Sequence, residues 1–450
     1  MTRRRDNQNR ASFSARVGPL ELGQDCLQAR AGNRSFSVAP AVVGDQLRLR
    51  PTRRDGVAQI IELIRPSADR SPAPCGVLAH CGACSIQQMS YAAQLAAKQS
   101  ALIKQLAALG CAEQIIGQIL APPSPFGYRT RLLMPADQQQ DKLCFGLYQR
   151  GTARLVPAEG CPVQHPLTLA VLAGCRQLLA SHEIQASSVG GWLHALGVRV
   201  DPHGQQAQLL LCTTSPKVPA EKTLVAQLLQ LPGVFSVHLT AQAERSSYPV
   251  GPEIKHLGGG ARMPFHIAGK AFLLSPATFV QTSAWAANTL GEQVLALLPE
   301  HFDRLADLYG GAGIFAQLAY GRYRQGWVVE ENPSAIADLQ QMIKQQALSA
   351  IRASRGRVEQ RVEQLTRFAP DVAIVDPPRQ GCKPPAIAAL CQAKPTTLIY
   401  VACGFEALLR DGQRLLEAGY RVDAVRALDM FPHTPQLEVI MRFVAEKPAR

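Results

Sequence analysis

Apolar and polar residues alternate in short runs near the start of the chain: RSFSVAPAVV (34–43), DQLRLRPTRR (45–54) and VAQIIELIRP (57–66). Gly, Pro and Asp interrupt them, so they read as strands joined by tight turns. They predict a small N-terminal β-barrel over residues 16–70, preceded by a disordered basic tail at 1–15. The SPAPC segment (71–75) closes this unit in turn chemistry. YAAQLAAKQSALIKQLAAL (91–109) then switches to helical spacing. From about 125 to 280 the strand-like YRTRLLMP, LCFGLYQR, AQLLLCTT and VFSVHLTA mix with helical stretches, which predicts a central α+β domain over 71–280. Beyond 281 the rhythm becomes regular. RLADLY, GWVVEEN, DVAIVDPP and TLIYVACG alternate with helical segments, and apolar strands alternating with helices imply a parallel sheet covered on both faces, an α/β fold.

Charge narrows the partners. The 450 residues carry 47 Lys and Arg against 34 acids, a formal net charge of +13, and residues 1–70 contribute 13 Arg, no Lys and seven acids. A basic face of that size suits a polyanion, RNA or DNA before an anionic membrane. No run approaches the ~18 apolar residues of a membrane span, and MTRRRDNQNR leads into no apolar core of a secretion signal, so a cytoplasmic location is expected.

In a parallel α/β sheet ligands bind at the carboxyl ends of the strands. The first such end is Asp307-Leu-Tyr-Gly-Gly-Ala-Gly313, whose glycines let backbone approach a ligand; the second is Glu330, where an acid binds ribose hydroxyls. The turn is not the GxGxxG of dinucleotide enzymes and offers no pyrophosphate cradle, so S-adenosylmethionine suits it better than NAD. The fourth end, VDPPRQG (375–381), lacks the aromatic that stacks on a flipped adenine in exocyclic-amine methylation; Arg379 stands there. The fifth ends in YVAC, placing Cys403 at the same rim. Carbon 5 of uracil is a poor nucleophile until a thiolate adds to carbon 6, and a base must afterwards remove the carbon-5 proton. Glu438, set among Leu437, Val439 and Ile440, is costly to bury without a task and is the candidate base. Cys382 is the rival nucleophile.

VDPPRQG, YVAC, DMFPHTPQLE and TFVQTS together resemble the motifs of the RNA uracil-C5 methyltransferases, which make 5-methyluridine. Their order and spacing are similar to the bacterial 23S rRNA (RlmD-like) type, with a TRAM/OB-like barrel, a central domain and a Rossmann-like class I methyltransferase domain over 281–450. The resemblance implies that Gln281, Tyr309, Glu330 and Asp376 bind S-adenosylmethionine, that Cys403 is the nucleophile and that Glu438 accepts the proton. It implies a monomer acting on 23S rRNA or a ribosomal precursor. The tRNA uridine enzyme, generally shorter and without the N-terminal additions, is the alternative, as is an RNA-binding assembly factor of weak activity. The chain departs from the family around the nucleophile, having Ala402-Cys403-Gly404-Phe405 in place of Ser-Cys-Asn-Pro.

Three further thiols cluster in CGVLAHCGACSIQQ (75–88): Cys75, Cys81 and Cys84. In a reducing compartment such clusters more often bind metal than form disulfides. Cys161, followed by Pro162, resembles the family's fourth ligand. Four thiolates suit zinc or a [4Fe–4S] cluster; a lone cysteine opposite a triplet fits the cluster better than paired zinc knuckles.

Overall fold

The computed structural model describes residues 11–244, 249–251 and 253–446. Residues 1–10 of the expected tail lie outside these. The rest of that segment is not irregular: strand β1 (Phe13–Val17) begins within it, with Ala15 and Val17 buried. β2 (Leu27–Ala31), β3 (Arg34–Val38), β4 (Gln46–Pro51) and β5 (Ala58–Arg65) follow. They pair antiparallel in the order β3-β2-β1-β4-β5. Alternation does the folding: Leu47 and Leu49 are buried while Gln46 and Arg48 are exposed. Bulges in the β4–β5 ladder bend β5, and β3 meets it near one end, where Ser37 N–H donates to Gly56 O at 2.7 Å. The result is a half-barrel sheet, which suggests the small barrel expected from the sequence.

Helix α1 (Tyr91–Leu106) starts at Ser90, whose hydroxyl accepts from Ala93 N–H. Its inner face is Gln94, Lys98, Ala101, Leu102 and Leu106, a helical stripe into which a lysine has been admitted. The central domain is a seven-stranded sheet, built from β6 (Arg131–Gln139), β7 (Lys142–Tyr148), β8 (Leu155–Pro157), β9 (Leu193–Val200), β10 (Ala207–Thr213), β11 (Val234–Ala241) and β12 (Ile254–Gly259). Its order is β12-β11-β10-β9-β6-β7-β8. α2 (Pro166–Ser181) and α3 (Glu221–Leu229) share one core with it through Val171, Leu172, Leu224 and Leu228. The hairpin β13 (Met263–Ile267) and β14 (Lys270–Leu274) leads to α4 (Ala284–Leu297).

The last third alternates as its pattern predicts: β15 (Phe302–Leu308), α5 (Ile314–Leu318), β16 (Tyr323–Glu330), α6 (Pro333–Gln345), β17 (Ile351–Arg355), α7 (Val362–Phe368), β18 (Val372–Val375), α8 (Pro384–Ala393), β19 (Thr397–Ala402) and α9 (Phe405–Glu417). β20 (Tyr420–Leu428) and β21 (Glu438–Ala445) finish the sheet, in the order β17-β16-β15-β18-β19-β21-β20. The first five strands are parallel, while β21 runs antiparallel to both β19 and β20. The connection 429–437 carries no crossover helix, so β21 must return antiparallel. One core joins this sheet to the N-terminal half: Leu22 and Leu27 of the half-barrel, Leu102 of α1, and Tyr400 and Val439 belong to the same buried cluster. No helix among the described residues is long and apolar enough to cross a membrane.

Candidate active site

The carboxyl ends of β15, β16, β18 and β19 open into a single cavity of about 820 Å³. Gln281, Tyr309, Glu330, Asp376, Cys403 and Glu438 all line it, so the structure brings together every residue proposed for methyl-donor binding or catalysis. The volume suits a ligand of nucleoside size with part of a second substrate. Register explains the nearest pair. Ala402 of β19 is the cross-strand partner of Val439 in β21, and one step further sets Cys403 opposite Glu438.

The glycine turn is built as close backbone approach demands. A side chain at Gly310 would meet Asp307 Cγ and Val328 Cγ1, each at 2.8 Å. Tyr309 itself takes φ +59°, a costly conformation for a bulky residue, held by the packing around it. Its hydroxyl donates to Glu359 Oε1 at 3.4 Å. Glu330 clamps the turn to the next strand: Oε2 accepts from Gly311 N–H (2.9 Å) and Oε1 from Asn332 N–H (2.6 Å). Each oxygen keeps lone-pair capacity for ribose hydroxyls.

Acidic groups crowd this cavity. Burial, then the Asp376 charge, raises the Glu438 carboxyl well above the usual range, with Arg379 opposing. Glu438 is buried, at 3% exposure. Asp376 is part-exposed by virtue of the cavity it lines; burial and Glu330 push it up to about 7. Asp307, wholly buried, is pushed up to about 8 by burial, against the Ala316 N–H it accepts; its Oδ1 has no hydrogen-bond partner. Burial, then Glu438 and Asp376, raises the Cys403 thiol to about 11, and Arg379 pulls it back. In this state Cys403 is a thiol at neutral pH, waiting for positive charge or a nearby base. Arg379 is the residue that the motif reading undervalued: noted there for the aromatic it displaces, it is the cation facing both Cys403 and Glu438. Phe279 was overlooked as well. It is 54% exposed at the cavity rim, two residues before Gln281, with the Arg131 guanidinium 5.7 Å from its ring centroid.

Cys382 is packed differently from Cys403. It is 2% exposed, its N–H donates to Asp411 Oδ2 (2.8 Å), and burial pushes its thiol up to about 12. The unusual Gly404 also has a local cause. A Cβ there would overlap the Arg379 carbonyl, so an asparagine could not enter without moving the loop that carries Arg379.

The four thiols expected to bind metal, Cys75, Cys81, Cys84 and Cys161, come near one another from distant chain segments. The turn after β7 holds the cysteine loop: Gly82 N–H donates to Tyr148 O (3.0 Å) and Arg150 to Gly82 O (2.6 Å). That brings Cys161, beyond β8, to the triplet, and the Cys84 thiol is raised to about 12 by burial and then by Cys161, Cys81 and Cys75. The expected metal centre itself is not formed. Among the described residues no three or more Cys, His, Asp or Glu side chains are arranged to hold a metal ion.

No protein-family model matches the chain. The fold is similar to the crystal structure of the Pyrococcus abyssi tRNA (uracil-54, C5)-methyltransferase in complex with S-adenosyl-L-homocysteine: TM-score 0.75 and 22% identity, covering 95% of this chain and all of that one. The methyltransferase fold is thereby shown. That tRNA enzyme aligns with 95% of this chain, so the shorter length generally expected of tRNA enzymes does not apply to it. In sequence the chain is 32% identical to an uncharacterized RNA methyltransferase of Thermosynechococcus vestitus, over 91% of this chain and 92% of that protein. It is 30% identical to another from Gloeobacter violaceus, over 94% of each. With likeness at that level running end to end, the chain belongs to the RNA methyltransferase family.

Proposed function

We propose that the protein transfers a methyl group from S-adenosylmethionine to carbon 5 of a uridine in 23S rRNA. The observation that carries this reading is the β19–β21 register, which sets a thiol and a buried carboxyl side by side at the rim of a nucleoside-sized cavity. The methyl donor supplies an electrophilic methyl on a cationic sulfonium. Glu330 and Asp376 fit it: the first offers acceptors for ribose hydroxyls, the second negative charge for the cation. Gln281 and Tyr309 line the same cavity and hold the donor's remaining edges. The uridine flips out of the RNA to reach Cys403. Sγ, as the thiolate, bonds to carbon 6; carbon 5 gains nucleophilic character and takes the methyl group as the sulfonium S–CH3 bond breaks and the sulfur leaves neutral with that electron pair. Glu438 then removes the carbon-5 proton, the electron pair reforms the 5,6 double bond, and Cys403 leaves. Arg379 favours the thiolate on which the first step depends.

Radiolabelled methyl donor with 23S rRNA and tRNA transcripts tests this directly. Incorporation at one uridine of 23S rRNA, and loss of that 5-methyluridine from a deletion strain, is the expected result. Incorporation into tRNA alone would establish the second reading, which the end-to-end match to a tRNA enzyme favours. No incorporation into either leaves an RNA-binding assembly factor.

The raised groups set a pH dependence. As pH climbs through about 7, Asp376 ionises and attraction for a sulfonium grows. Calorimetry should show S-adenosylmethionine affinity rising through that window more steeply than that of S-adenosylhomocysteine, whose sulfur is neutral. Turnover should keep rising beyond it, towards the Cys403 thiol near 11.

A [4Fe–4S] cluster as a structural staple rests on the cysteine pattern Cys75, Cys81, Cys84 and Cys161 and its resemblance to the family's ligand set, and not on a metal-binding group in the structure. Anaerobically purified protein should then be brown, with about four irons and four sulfides per chain. Stoichiometric zinc, or thiols fully free to alkylating reagent, would end that assignment.

A further inference from the structure

Cys403 follows β19 and Glu438 opens β21, and one N-terminal segment touches residues that flank each of them. The connection between β1 and β2, residues 18–26, is anchored on α1, where Gln105 Oε1 accepts from Leu22 N–H at 2.8 Å and Leu22 is buried. From there Gln24 Nε2 donates to Glu406 Oε1 at 3.1 Å, three residues beyond Cys403. Gly23 packs so closely on the start of α9 that a Cβ would lie 3.3 Å from Glu406 Cγ and 3.6 Å from Phe405 Cβ. On the other side Gln436, 8% exposed and two residues before Glu438, donates to Gln24 O at 3.0 Å and to Asp25 Oδ1 at 3.5 Å. Leu20, Leu22 and Leu27 lie in the same buried cluster as Phe405, Leu437 and Val439.

We propose that this half-barrel loop is a positioning element for the reaction, with Gln436 the positioning residue for Glu438. The inference rests on the reading of Cys403 and Glu438 as nucleophile and base. Addition at carbon 6 and proton removal at carbon 5 act on adjacent atoms of one ring, so the spacing of the two side chains must be held while RNA loads the protein. A misplacement of about 1 Å costs on the order of 100-fold in rate. The bonds of Gln24 and Gln436 tie the start of α9 and the approach to β21 to one segment that is anchored on α1. A pull on the half-barrel by bound RNA is thereby passed to both reacting groups. The N-terminal unit is part of the catalytic scaffold as well as a basic surface.

Two full-length variants test it from opposite sides. Gln436→Leu keeps volume and removes both amide hydrogen bonds; Gln24→Leu removes the side-chain bond to Glu406 and leaves in place the Gln24 carbonyl that Gln436 uses. Turnover, RNA affinity by filter binding, and covalent protein–RNA adduct on denaturing gels are measured for each beside wild type. Positioning predicts turnover reduced about 10- to 100-fold at unchanged RNA affinity, with Gln436→Leu accumulating adduct on ordinary RNA because proton removal lags. If Gln436→Leu lowers the melting temperature, Gln24→Leu carries the test alone. Wild-type turnover in both variants, or a loss that follows RNA affinity, overturns the inference. Failure of wild type to trap on 5-fluorouridine RNA would instead overturn the uracil reading itself.

Discussion

Replacing Cys403 with alanine is expected to abolish methyl transfer, whereas Glu438→Gln should transfer the methyl group and then stall. The two residues serve different steps, so their losses must differ in kind. Without the thiol, carbon 5 never becomes nucleophilic. Without the carboxylate, addition and methylation proceed and the carbon-5 proton has no acceptor, so a methylated covalent adduct builds up. Removing a general base costs about 10²–10⁴-fold in turnover. Denaturing gels followed by peptide mapping provide the measurement, with 5-fluorouridine RNA as the wild-type trap, since fluorine cannot leave as a proton. An adduct at Cys382 would move the nucleophile, although its 2% exposure and its place between Tyr309 and Tyr400 argue against attack from there. Normal turnover by Glu438→Gln would pass the base role to Asp376, the next carboxylate in the same cavity.

The largest stability effect should come from a residue far from the chemistry in sequence. Lys98, on α1, is completely buried and its Nζ donates to Asp429 Oδ1 at 2.7 Å and Phe431 O at 3.3 Å. Tyr91 donates to the other Asp429 oxygen at 3.1 Å. Burial lowers the Lys98 pKa and Asp429 opposes the shift. Lys98→Met would strand the aspartate in the interior, at a cost of about 3–5 kcal/mol. Adding Asp429→Asn should recover much of that loss, because the neutral amide still pairs with Tyr91. Denaturant unfolding of the single and double variants measures it; additive losses would show that the pair is not coupled. The same loop is held by His433, whose N–H donates to Gln94 Oε1 (2.9 Å) and whose carbonyl accepts from Ser85 and Ile86 N–H (3.1 Å each). Turnover in Lys98→Met should therefore fall at temperatures where the protein is still folded.

Local pattern was enough to read much of this protein. Period-2 alternation located β3, β4 and β5, helical spacing located α1, and the apolar runs ending in Asp307, Glu330, Asp376 and Cys403 marked four strand ends that share one rim. A strand pattern is a property of consecutive residues, and in a parallel α/β sheet every strand end faces the same way, so chemistry at those ends could be read from the chain alone. Arg-rich composition pointed to RNA for a similar reason, since charge needs no fold to be counted.

What alternation could not state was which strand lies beside which. Glu438 begins an apolar run that reads equally well as an edge strand; only the antiparallel insertion of β21 between β19 and β20 buries it opposite Cys403. Lys98 reads as an ordinary exposed position on an amphipathic helix until Asp429, 331 residues away, is folded onto it. Cys161 comes near the cysteine triplet only in the folded chain, and the half-barrel reaches the residues flanking Cys403 and Glu438 only through the tertiary contacts of residues 22–25. Residue type and spacing along the chain determined the elements and the chemistry available at their ends. Pairing across long sequence separation, which depends on loop closure and on complementary buried surfaces rather than on local preference, decided which of those groups act together.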